Sequence, residues 1–188
     1  MYSSAARGVW GGRPPDRDPA PSSSGADGSI IDGMFPLVVD DVVPFEDWTA
    51  AARASLGFLH RTVGLDAWMV TRVRPPHQFV LVSHPVDVML SGTAVPWEQS
   101  FCRSMVSGTA PRVATVAAVV PAYRDLVTLH GDRVAAYLGV PLVTRSGELY
   151  GTLCGVASRA QPRSLARHLP LVEMTARMLS TLLPADAD

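Results

Sequence analysis

The sequence predicts an α+β fold in which a central antiparallel sheet has terminal helices on one face. Irregular crossover segments, including a short helix, cover the other face. Three observations predict this arrangement. Apolar residues recur at helical spacing near both ends of the globular part of the chain. Two pairs of β-prone runs, each pair joined by a short turn, lie between those helices. The intervening segments are short and rich in Gly, Pro and Ser. Elements in this order form a sheet with both faces covered.

A helix and a hairpin come first. Apolar residues three or four positions apart mark one helix face: Phe45, Trp48, Ala52, Leu56, Leu59 and Val63. Gly64 is a suitable end for this helix. Residues 67–73 and 78–83 are rich in β-branched and aromatic side chains, and the turn sequence Arg-Pro-Pro-His lies between them. This pattern predicts an antiparallel hairpin.

The middle of the chain carries weaker signals. Residues 84–96 contain Pro, Gly, Ser and Asp and are predicted to be loop. Residues 97–107 have apolar side chains on one side and are predicted to form a short helix that ends at Gly108. Residues 112–116 predict a strand, whereas residues 121–130 fit either a loop or a short helix.

A second hairpin follows. Residues 134–144 and 148–158 are β-prone and are joined by Arg-Ser-Gly, whose glycine can adopt positive φ. Three glycines interrupt these runs: Gly139, Gly151 and Gly155. Glycine weakens a strand interior. We therefore expect another element, or a ligand, to approach the backbone closely there.

The C-terminal segment, residues 164–183, predicts a helix with two apolar stripes. The first has heptad-like spacing: Leu165, Leu169, Val172, Ala176, Leu179 and Leu183. The second lies beside it: Leu171, Met174, Met178 and Leu182. A helix apolar on two stripes needs two partners. One stripe can cover the sheet. The other can contact the first helix of the same chain, at residues 45–63, or a helix of a second subunit. The second arrangement predicts a homodimer through this helix.

The composition of the chain limits the functions that it can have. The 188 residues are 47% hydrophobic and 18% charged, with a formal net charge of −1. This predicts one soluble globular domain with no general affinity for nucleic acid or anionic lipid. Residues 1–33 are rich in Ser, Gly, Pro, Ala and Asp and are predicted to be a disordered leader. The domain is predicted to span residues 34–184, with a tail at 185–188.

The residue usage also bears on origin and location. All 16 basic residues are Arg, and the chain contains no Lys and no Asn, which predicts a GC-rich bacterial genome. No apolar run reaches the ~18 residues that a membrane helix requires, and the N-terminus lacks the pattern of a signal peptide. We therefore expect a cytoplasmic protein without a membrane partner.

Four segments resemble the GAF domain family. They are Trp68-Met69-Val70-Thr71-Arg72-Val73, Trp97-Glu98-Gln99-Ser100-Phe101-Cys102, Tyr137-Leu138-Gly139-Val140-Pro141-Leu142, and Gly147-Glu148-Leu149-Tyr150-Gly151-Thr152-Leu153-Cys154-Gly155. The last two are the more specific, and they are similar to GAF domains that precede cyclic-di-GMP synthesis (GGDEF) modules in bacteria. The resemblance covers about residues 45 to 183.

The resemblance implies a sensory domain without catalytic activity. Such domains bind a small molecule between the sheet and the crossover segments, often dimerise through their terminal helices, and signal to an output domain. No GGDEF, kinase, phosphodiesterase or helix-turn-helix signature follows before Asp188. Both a stand-alone sensor acting on a partner and a fragment of a longer protein remain open.

The fold implied by the resemblance also places the pocket. Aromatic side chains supply apolar wall, tyrosines supply a hydroxyl, and small residues supply room. The predicted ligand-binding residues are Trp97, Phe101, Cys102, Tyr123, Tyr137, Gly139 and Cys154. The residues identify neither the ligand nor a cofactor.

Two thiols carry the alternative functions. The five histidines and two cysteines show no metal-ligand spacing, and no nucleophile motif is present, so neither a metal site nor hydrolytic catalysis is predicted. Cys102 and Cys154 are candidate redox residues. A GAF-fold free methionine sulfoxide reductase also uses cysteines, so that activity and a cysteine redox sensor are alternatives. A scaffold that has lost its ligand is a third.

Overall fold

The computed structural model describes residues 42–86, 91–126, 128–129 and 132–184. The predicted leader at 1–33, the start of the predicted domain at 34–41 and the predicted tail at 185–188 lie outside the described residues. The elements, in chain order, are α1 (Trp48–Val63), β1 (Ala67–Arg74), β2 (His77–His84), β3 (Ala94–Pro96), α2 (Phe101–Val106), β4 (Val113–Ala114), α3 (Pro121–Arg124), β5 (Thr128–Leu129), β6 (Asp132–Arg133), β7 (Ala136–Val143), β8 (Leu149–Ala157) and α4 (Leu169–Thr181).

One six-stranded antiparallel sheet organises the fold. Its strand order is β3-β2-β1-β8-β7-β4, and β5 and β6 form a separate two-stranded ladder. Both predicted hairpins are confirmed, as β1–β2 and β7–β8. The two hairpins join through β1 and β8, where Met69 is opposite Cys154. Gly147 turns the second hairpin with a φ of 89°.

The first helix begins later than predicted. Asp47 caps it by accepting a hydrogen bond from the Ala50 amide at 2.7 Å, so Phe45 lies outside the helix and is exposed. Gly64 ends the helix in the left-handed conformation, with a φ of 80°. Leu56 and Leu59 are fully buried, as the apolar spacing predicts.

The C-terminal helix uses its two stripes differently. Residues Arg163–His168 form a 3-10 helix, and α4 follows with Pro170 in its first turn. Val172, Ala176 and Leu179 of the first stripe are buried in the core of this chain. Met174, Met178 and Leu182 of the second stripe are exposed. The Trp48 indole donates to the Leu179 carbonyl at 2.9 Å, so α1 and α4 lie together on one face of the sheet.

Three predictions for the middle of the chain need correction. Residues 97–107 are not one helix: a 3-10 turn at Trp97–Gln99 is separated from α2 by the extended residue Ser100, whose hydroxyl caps α2 by accepting from the Arg103 amide. The predicted loop at 84–96 includes β3, because residues 94–96 pair with β2; residues 87–90 lie outside the described residues. The strand predicted at 112–116 is only two residues long.

The sheet separates two apolar layers. The helix-side core lies between the sheet and α1 and α4, and it is mostly aliphatic. The crossover layer lies on the opposite face, under Trp97–Gln99, α2, α3 and the 3-10 turn Ala117–Val119. The predicted α+β architecture, with terminal helices on one face and crossovers on the other, is confirmed.

An irregularity in the β7–β8 ladder places Tyr150 on the helix side of the sheet. Simple alternation places Tyr150 on the same face as Thr152 and Cys154. The register shifts between Leu142 and Val143, so Tyr150 has no direct partner in β7 and packs in the helix-side core. It lies there with its ring centroid 6.1 Å from that of Trp48. Simple alternation along β8 therefore does not hold at Tyr150.

The strand glycines permit close approach by neighbouring protein groups. A Cβ at Gly139 would overlap the phenol oxygen of Tyr137, and a Cβ at Gly151 would overlap the carbonyl oxygen of Thr71. At Gly155 it would lie 2.8 Å from the Trp68 ring and from Leu65 Cδ1. Protein side chains and backbone, not open space, therefore account for glycine at these three positions.

Candidate functional site

The structure brings the predicted ligand-binding residues to one face of the sheet. Six of the seven belong to one buried cluster in the crossover layer: Trp97, Phe101, Cys102, Tyr123, Tyr137 and Cys154. The seventh, Gly139, lies opposite Cys154 in the β7–β8 ladder and beneath the Tyr137 ring. Residues far apart in sequence therefore meet in one place.

The two thiols meet at the centre of this cluster. Cys102 is the second residue of α2, which Ser100 caps, and Cys154 lies on β8 at the middle of the sheet. Their Sγ atoms are 3.7 Å apart, and both side chains are buried. This distance is in the range of a sulfur hydrogen bond and is longer than the ~2.05 Å of a disulfide.

Hydroxyl groups surround the Cys102 sulfur. The Thr152 hydroxyl donates to Cys102 Sγ at 3.2 Å, and the Tyr137 phenol donates to it at 3.5 Å. Thr152 also shares a hydrogen bond of 2.8 Å with the Thr71 hydroxyl. The donors make Cys102 the sulfur that best holds negative charge, because hydrogen bonds to an ionised acceptor stabilise it.

The two thiols consequently titrate differently. The hydrogen bond between the two thiols is the largest influence on Cys102, and with the hydroxyl donors it lowers the pKa of Cys102 to about 7 despite burial. The same bond and burial raise the pKa of Cys154 well above its ordinary value. The pair therefore shares one proton over a range of pH in which isolated thiols hold two.

The tyrosines stay protonated. Burial and the nearby Cys102 charge raise the pKa of both Tyr123 and Tyr137 above the ordinary value. Both phenols can therefore act as hydrogen-bond donors. Tyr123 donates to the Pro111 carbonyl at 2.8 Å, which anchors α3 to the segment before β4.

An aromatic stack forms the apolar wall. The Phe101, Tyr123 and Tyr137 rings contact one another in a triangle, and the Phe101 centroid is 4.7 Å from that of Tyr123 and 5.3 Å from that of Tyr137. The two tyrosine rings are 5.4 Å apart. Such packing at tilted and offset angles is favourable beyond the area that it buries. Trp97 packs in the same cluster and is almost fully buried.

Gln78 is a site residue that the sequence analysis missed. It lies on β2 and is 5% exposed, and its side chain is near enough to Cys102 to contribute to the lowered pKa of that thiol. Its Oε1 atom has no hydrogen-bond partner among the described residues. Thr71 and Thr152 were also not predicted as site residues. In all three cases a polar residue lies beside an apolar neighbour in a β-prone run, which is a usable signal because a buried polar group needs a partner.

Two surface clefts lie elsewhere. One of about 390 Å³ is between β7 and α4 and includes Arg112, Arg145 and Arg177. Another of about 330 Å³ is lined by Val116, Ala118, Val134, Ala135, Ser158, Arg159 and Ala160. Neither cleft includes a predicted site residue. Among the described residues, no group of three or more His, Cys, Asp or Glu side chains is placed to hold a metal ion.

A comparison with protein-family models identifies the class of this protein. The family model of the GAF domain matches residues 47–183, so the chain belongs to the GAF domain family. GAF domains are typically sensory domains that bind small molecules. No helix within the described ranges is both long and apolar enough to cross a bilayer.

Solved structures share the fold. The GAF domain of an Acinetobacter phosphoenolpyruvate-protein phosphotransferase is 13% identical, with a TM-score of 0.58, over 73% of this chain and 82% of that one. The second GAF domain of DevS from Mycobacterium smegmatis is 16% identical, with a TM-score of 0.52, over 72% and 94%.

An enzyme is also among the structural neighbours. The free methionine-R-sulfoxide reductase of Neisseria meningitidis, solved with its substrate, is 17% identical, with a TM-score of 0.55, over 72% of this chain and 77% of that one. At these identities the likeness shows the fold alone. A comparison with curated proteins finds no significant match.

Proposed function

We propose that this chain is a sensory GAF domain without catalytic activity. It binds a small molecule in the crossover layer, forms a homodimer, and signals to a partner or output domain such as a cyclic-di-GMP enzyme. The proposed setting is the bacterial cytoplasm, where reduced thiols such as Cys102 and Cys154 are usual. The ligand is not identified.

The Gln78 Oε1 atom, which has no hydrogen-bond partner within the part of the chain that the structure describes, carries the proposal for a ligand. A buried polar atom without a partner costs about 1–3 kcal/mol, so a molecule that donates a hydrogen bond there gains from satisfying it. The aromatic stack of Phe101, Tyr123 and Tyr137 supplies apolar surface beside it. We therefore expect a small, partly apolar molecule with at least one N–H or O–H donor.

Native mass spectrometry tests this binding. The purified protein is compared under gentle and denaturing conditions, beside Gln78→Met, which keeps the side-chain length and removes the amide. We expect a small molecule that leaves on denaturation and is reduced or absent in Gln78→Met. Gln161→Met, which removes an amide that donates to the Arg159 carbonyl at the surface, is the matched control and should retain the molecule. A wild-type protein that is always ligand-free would contradict the proposal.

The exposed second stripe of α4 supports the homodimer. Met174, Met178 and Leu182 are each more than half exposed on one helix face, whereas the first stripe is used within the chain. Apolar side chains grouped on one face indicate an interaction surface. Sedimentation velocity should show a dimer for the wild type and a monomer for Met174→Glu/Met178→Glu. A wild-type monomer at high concentration would refute this part.

The approach of the two thiols favours a second candidate, free methionine sulfoxide reduction. In that reaction the sulfoxide oxygen leaves as water while the two thiols become a disulfide. The fold shared with the Neisseria reductase and the 3.7 Å between Cys102 and Cys154 support it. A coupled assay with free methionine sulfoxide, thioredoxin and thioredoxin reductase tests whether the chain has this activity. Turnover abolished by Cys102→Ser supports it, and no turnover in the wild type excludes it.

A further inference from the structure

Two buried thiols in contact are not needed for the binding function proposed above. Cys102 and Cys154 come from α2 and β8, 52 positions apart in sequence, yet their sulfurs lie 3.7 Å apart. We propose that Cys102 and Cys154 form a peroxide-responsive pair that closes a reversible disulfide within the chain. The proposal goes beyond ligand binding and does not depend on it.

The geometry needs only a small movement. A disulfide holds its sulfurs about 2.05 Å apart, so these atoms must approach by less than about 2 Å. Cys154 is fixed at the centre of the sheet, whereas α2 is six residues long. It lies between the extended residue Ser100 and the turn at Gly108, which has a φ of 74°. A short helix between two non-helical positions can shift by this amount without disturbing the strands.

The hydrogen bonds make the pair asymmetric. Thr152 and Tyr137 direct hydroxyl protons at Cys102 Sγ. These donors favour the thiolate at Cys102, and the thiolate is the nucleophile in thiol oxidation. Cys102 is therefore the attacking residue, and Cys154 is the resolving residue.

The reaction balances with hydrogen peroxide as the oxidant. The Cys102 thiolate attacks one peroxide oxygen, the O–O bond breaks, and hydroxide leaves, giving a sulfenic acid at Cys102. The Cys154 sulfur then attacks the Cys102 sulfur, the S–OH bond breaks, and water leaves with the Cys154 proton. The hydroxide takes up the proton that Cys102 had released. Two thiols thus lose two electrons and two protons, and one peroxide becomes two waters.

Burial controls how fast this happens and what is formed. Both thiols are at most 3% exposed, so peroxide must enter through local opening of the crossover layer. The same burial places Cys154 directly beside the sulfenic acid. The disulfide therefore forms in preference to further oxidation, which needs a second peroxide.

Closing the bond changes the crossover layer. Once both sulfurs are in a disulfide, Cys102 no longer holds negative charge. The bonds from Thr152 and Tyr137 to that sulfur consequently weaken, and α2 becomes covalently attached to β8. The domain thus has a reduced and an oxidised state, which differ in the contacts of Cys102 with Thr152, Tyr137 and Cys154.

Peroxide titration of the full chain tests the pair. Free thiols are counted by alkylation after the peroxide is quenched, and disulfide-linked peptides are identified after digestion. The mass of the intact chain is not sufficient, because peroxide also oxidises the exposed Met174 and Met178. We expect both thiols to disappear together, a linked 102–154 peptide within one chain, and full recovery with a small dithiol. Cys154→Ser should stop at a sulfenic acid that a cyclic dione traps, and Cys102→Ser should react more slowly than the wild type.

A variant that keeps both thiols separates the hydrogen-bond effect from simple proximity. Thr152→Val removes one donor to Cys102 Sγ at nearly constant volume. At pH 7 a rise of about one pKa unit lowers the thiolate fraction from about one half to about one eleventh, and greater intrinsic nucleophilicity recovers about threefold, so we expect roughly twofold slower oxidation. Thr109→Val, whose hydroxyl bonds in the surface turn after α2, is the matched control and should leave the rate unchanged.

Three results would overturn the proposal. They are thiols that stay reduced in folded protein while the urea-unfolded chain oxidises, a disulfide found only between chains, and independent oxidation of each cysteine to sulfinic acid. Circular dichroism of each variant before oxidation establishes that the chain is folded. No methionine sulfoxide is added, so a disulfide that peroxide forms does not depend on reductase turnover, and the test does not require a bound ligand.

Discussion

The two faces of the sheet are built from different chemistry. On the helix-side core, Leu, Val and Ala from β1, β7 and β8 meet two regular helices, and Trp68 and Tyr150 are the aromatic members of that cluster. On the crossover layer, aromatic rings, four sulfur atoms and several hydroxyl groups meet short helical pieces. One sheet thus carries a face suited to stability and a face suited to binding or redox chemistry.

This difference has a physical cause. Aliphatic side chains gain free energy from burial without needing partners, so long helices can pack on them continuously. The polar groups of the crossover layer are buried only because specific donors and acceptors meet, as Thr71, Thr152 and Cys102 do. Short segments with several non-helical positions can place such groups individually. We therefore expect substitutions on the two faces to have different consequences.

The largest loss of stability is expected on the helix-side core. Leu138 is fully buried on β7. Leu138→Ala should lower the free energy of unfolding by about 3 kcal/mol, within the ~2–5 kcal/mol typical of such cavities. Urea unfolding followed by circular dichroism measures it. Leu138→Met is the volume-conserving control, expected to cost less than about 1.5 kcal/mol. A loss below ~1 kcal/mol for the alanine variant would mean that this face is not a continuous core.

A smaller loss is expected where the crossover layer is tightest. Gly139→Ala places a methyl group against the Tyr137 ring, and overpacking of this kind costs about 1–3 kcal/mol. The cost should depend on Tyr137. In a double-mutant cycle, Gly139→Ala should be less costly in the background of Tyr137→Ala, with a coupling of at least about 0.5 kcal/mol. Additive effects would show that the ring is not what requires glycine at this position.

Under reducing conditions, the thiol pair is expected to make a pH-dependent contribution to the free energy of unfolding. The pKa of Cys102 falls from 9.0 to about 7 on folding. Between pH 7 and 9 the unfolded chain therefore binds more protons, and the free energy of unfolding rises with pH. Above pH 9 the trend reverses, because the pKa of Cys154 is raised and the folded chain retains that proton.

Urea unfolding at a series of pH values checks this contribution. The stability difference between the wild type and Cys102→Ala should grow from pH 7 to pH 9, because only the wild type has the low pKa. The helix-side variant Leu138→Met keeps both thiols and should follow the wild type. A difference that stays constant with pH would show that Cys102 is protonated throughout.

The smallest effect on chain stability is expected on the outer surface of α4. Met178 is 60% exposed. Met178→Gln should therefore change the unfolding free energy of the monomer by no more than about 0.5 kcal/mol. If the exposed stripe is the dimer interface, the same variant weakens self-association, so stability measured at high protein concentration should drop more. Equal effects at low and high concentration would argue against an interface there.

Much of the fold was predictable from local pattern. The apolar spacing of α1, the Pro-containing turn between β1 and β2, and the Arg-Ser-Gly turn between β7 and β8 act within a few residues. They predict helix and hairpins without knowledge of the rest of the chain. The break at Ser100 was also local, since a serine that caps α2 ends the preceding turn, but apolar periodicity concealed it.

The sequence by itself therefore determined the terminal helices, the two hairpins, the α+β class and the family, because periodicity, turn residues and segment motifs are local information. Only the tertiary structure decided which polar groups meet. The contact of Cys102 with Cys154 depends on how strands and crossovers from distant positions are arranged. So does the Gln78 oxygen, which has no partner among the residues the structure describes. Tyr150 packs on the helix side of the sheet because of an irregularity in the pairing of β7 with β8. Such pairings follow from the packing of the whole sheet, and no short window of sequence contains them.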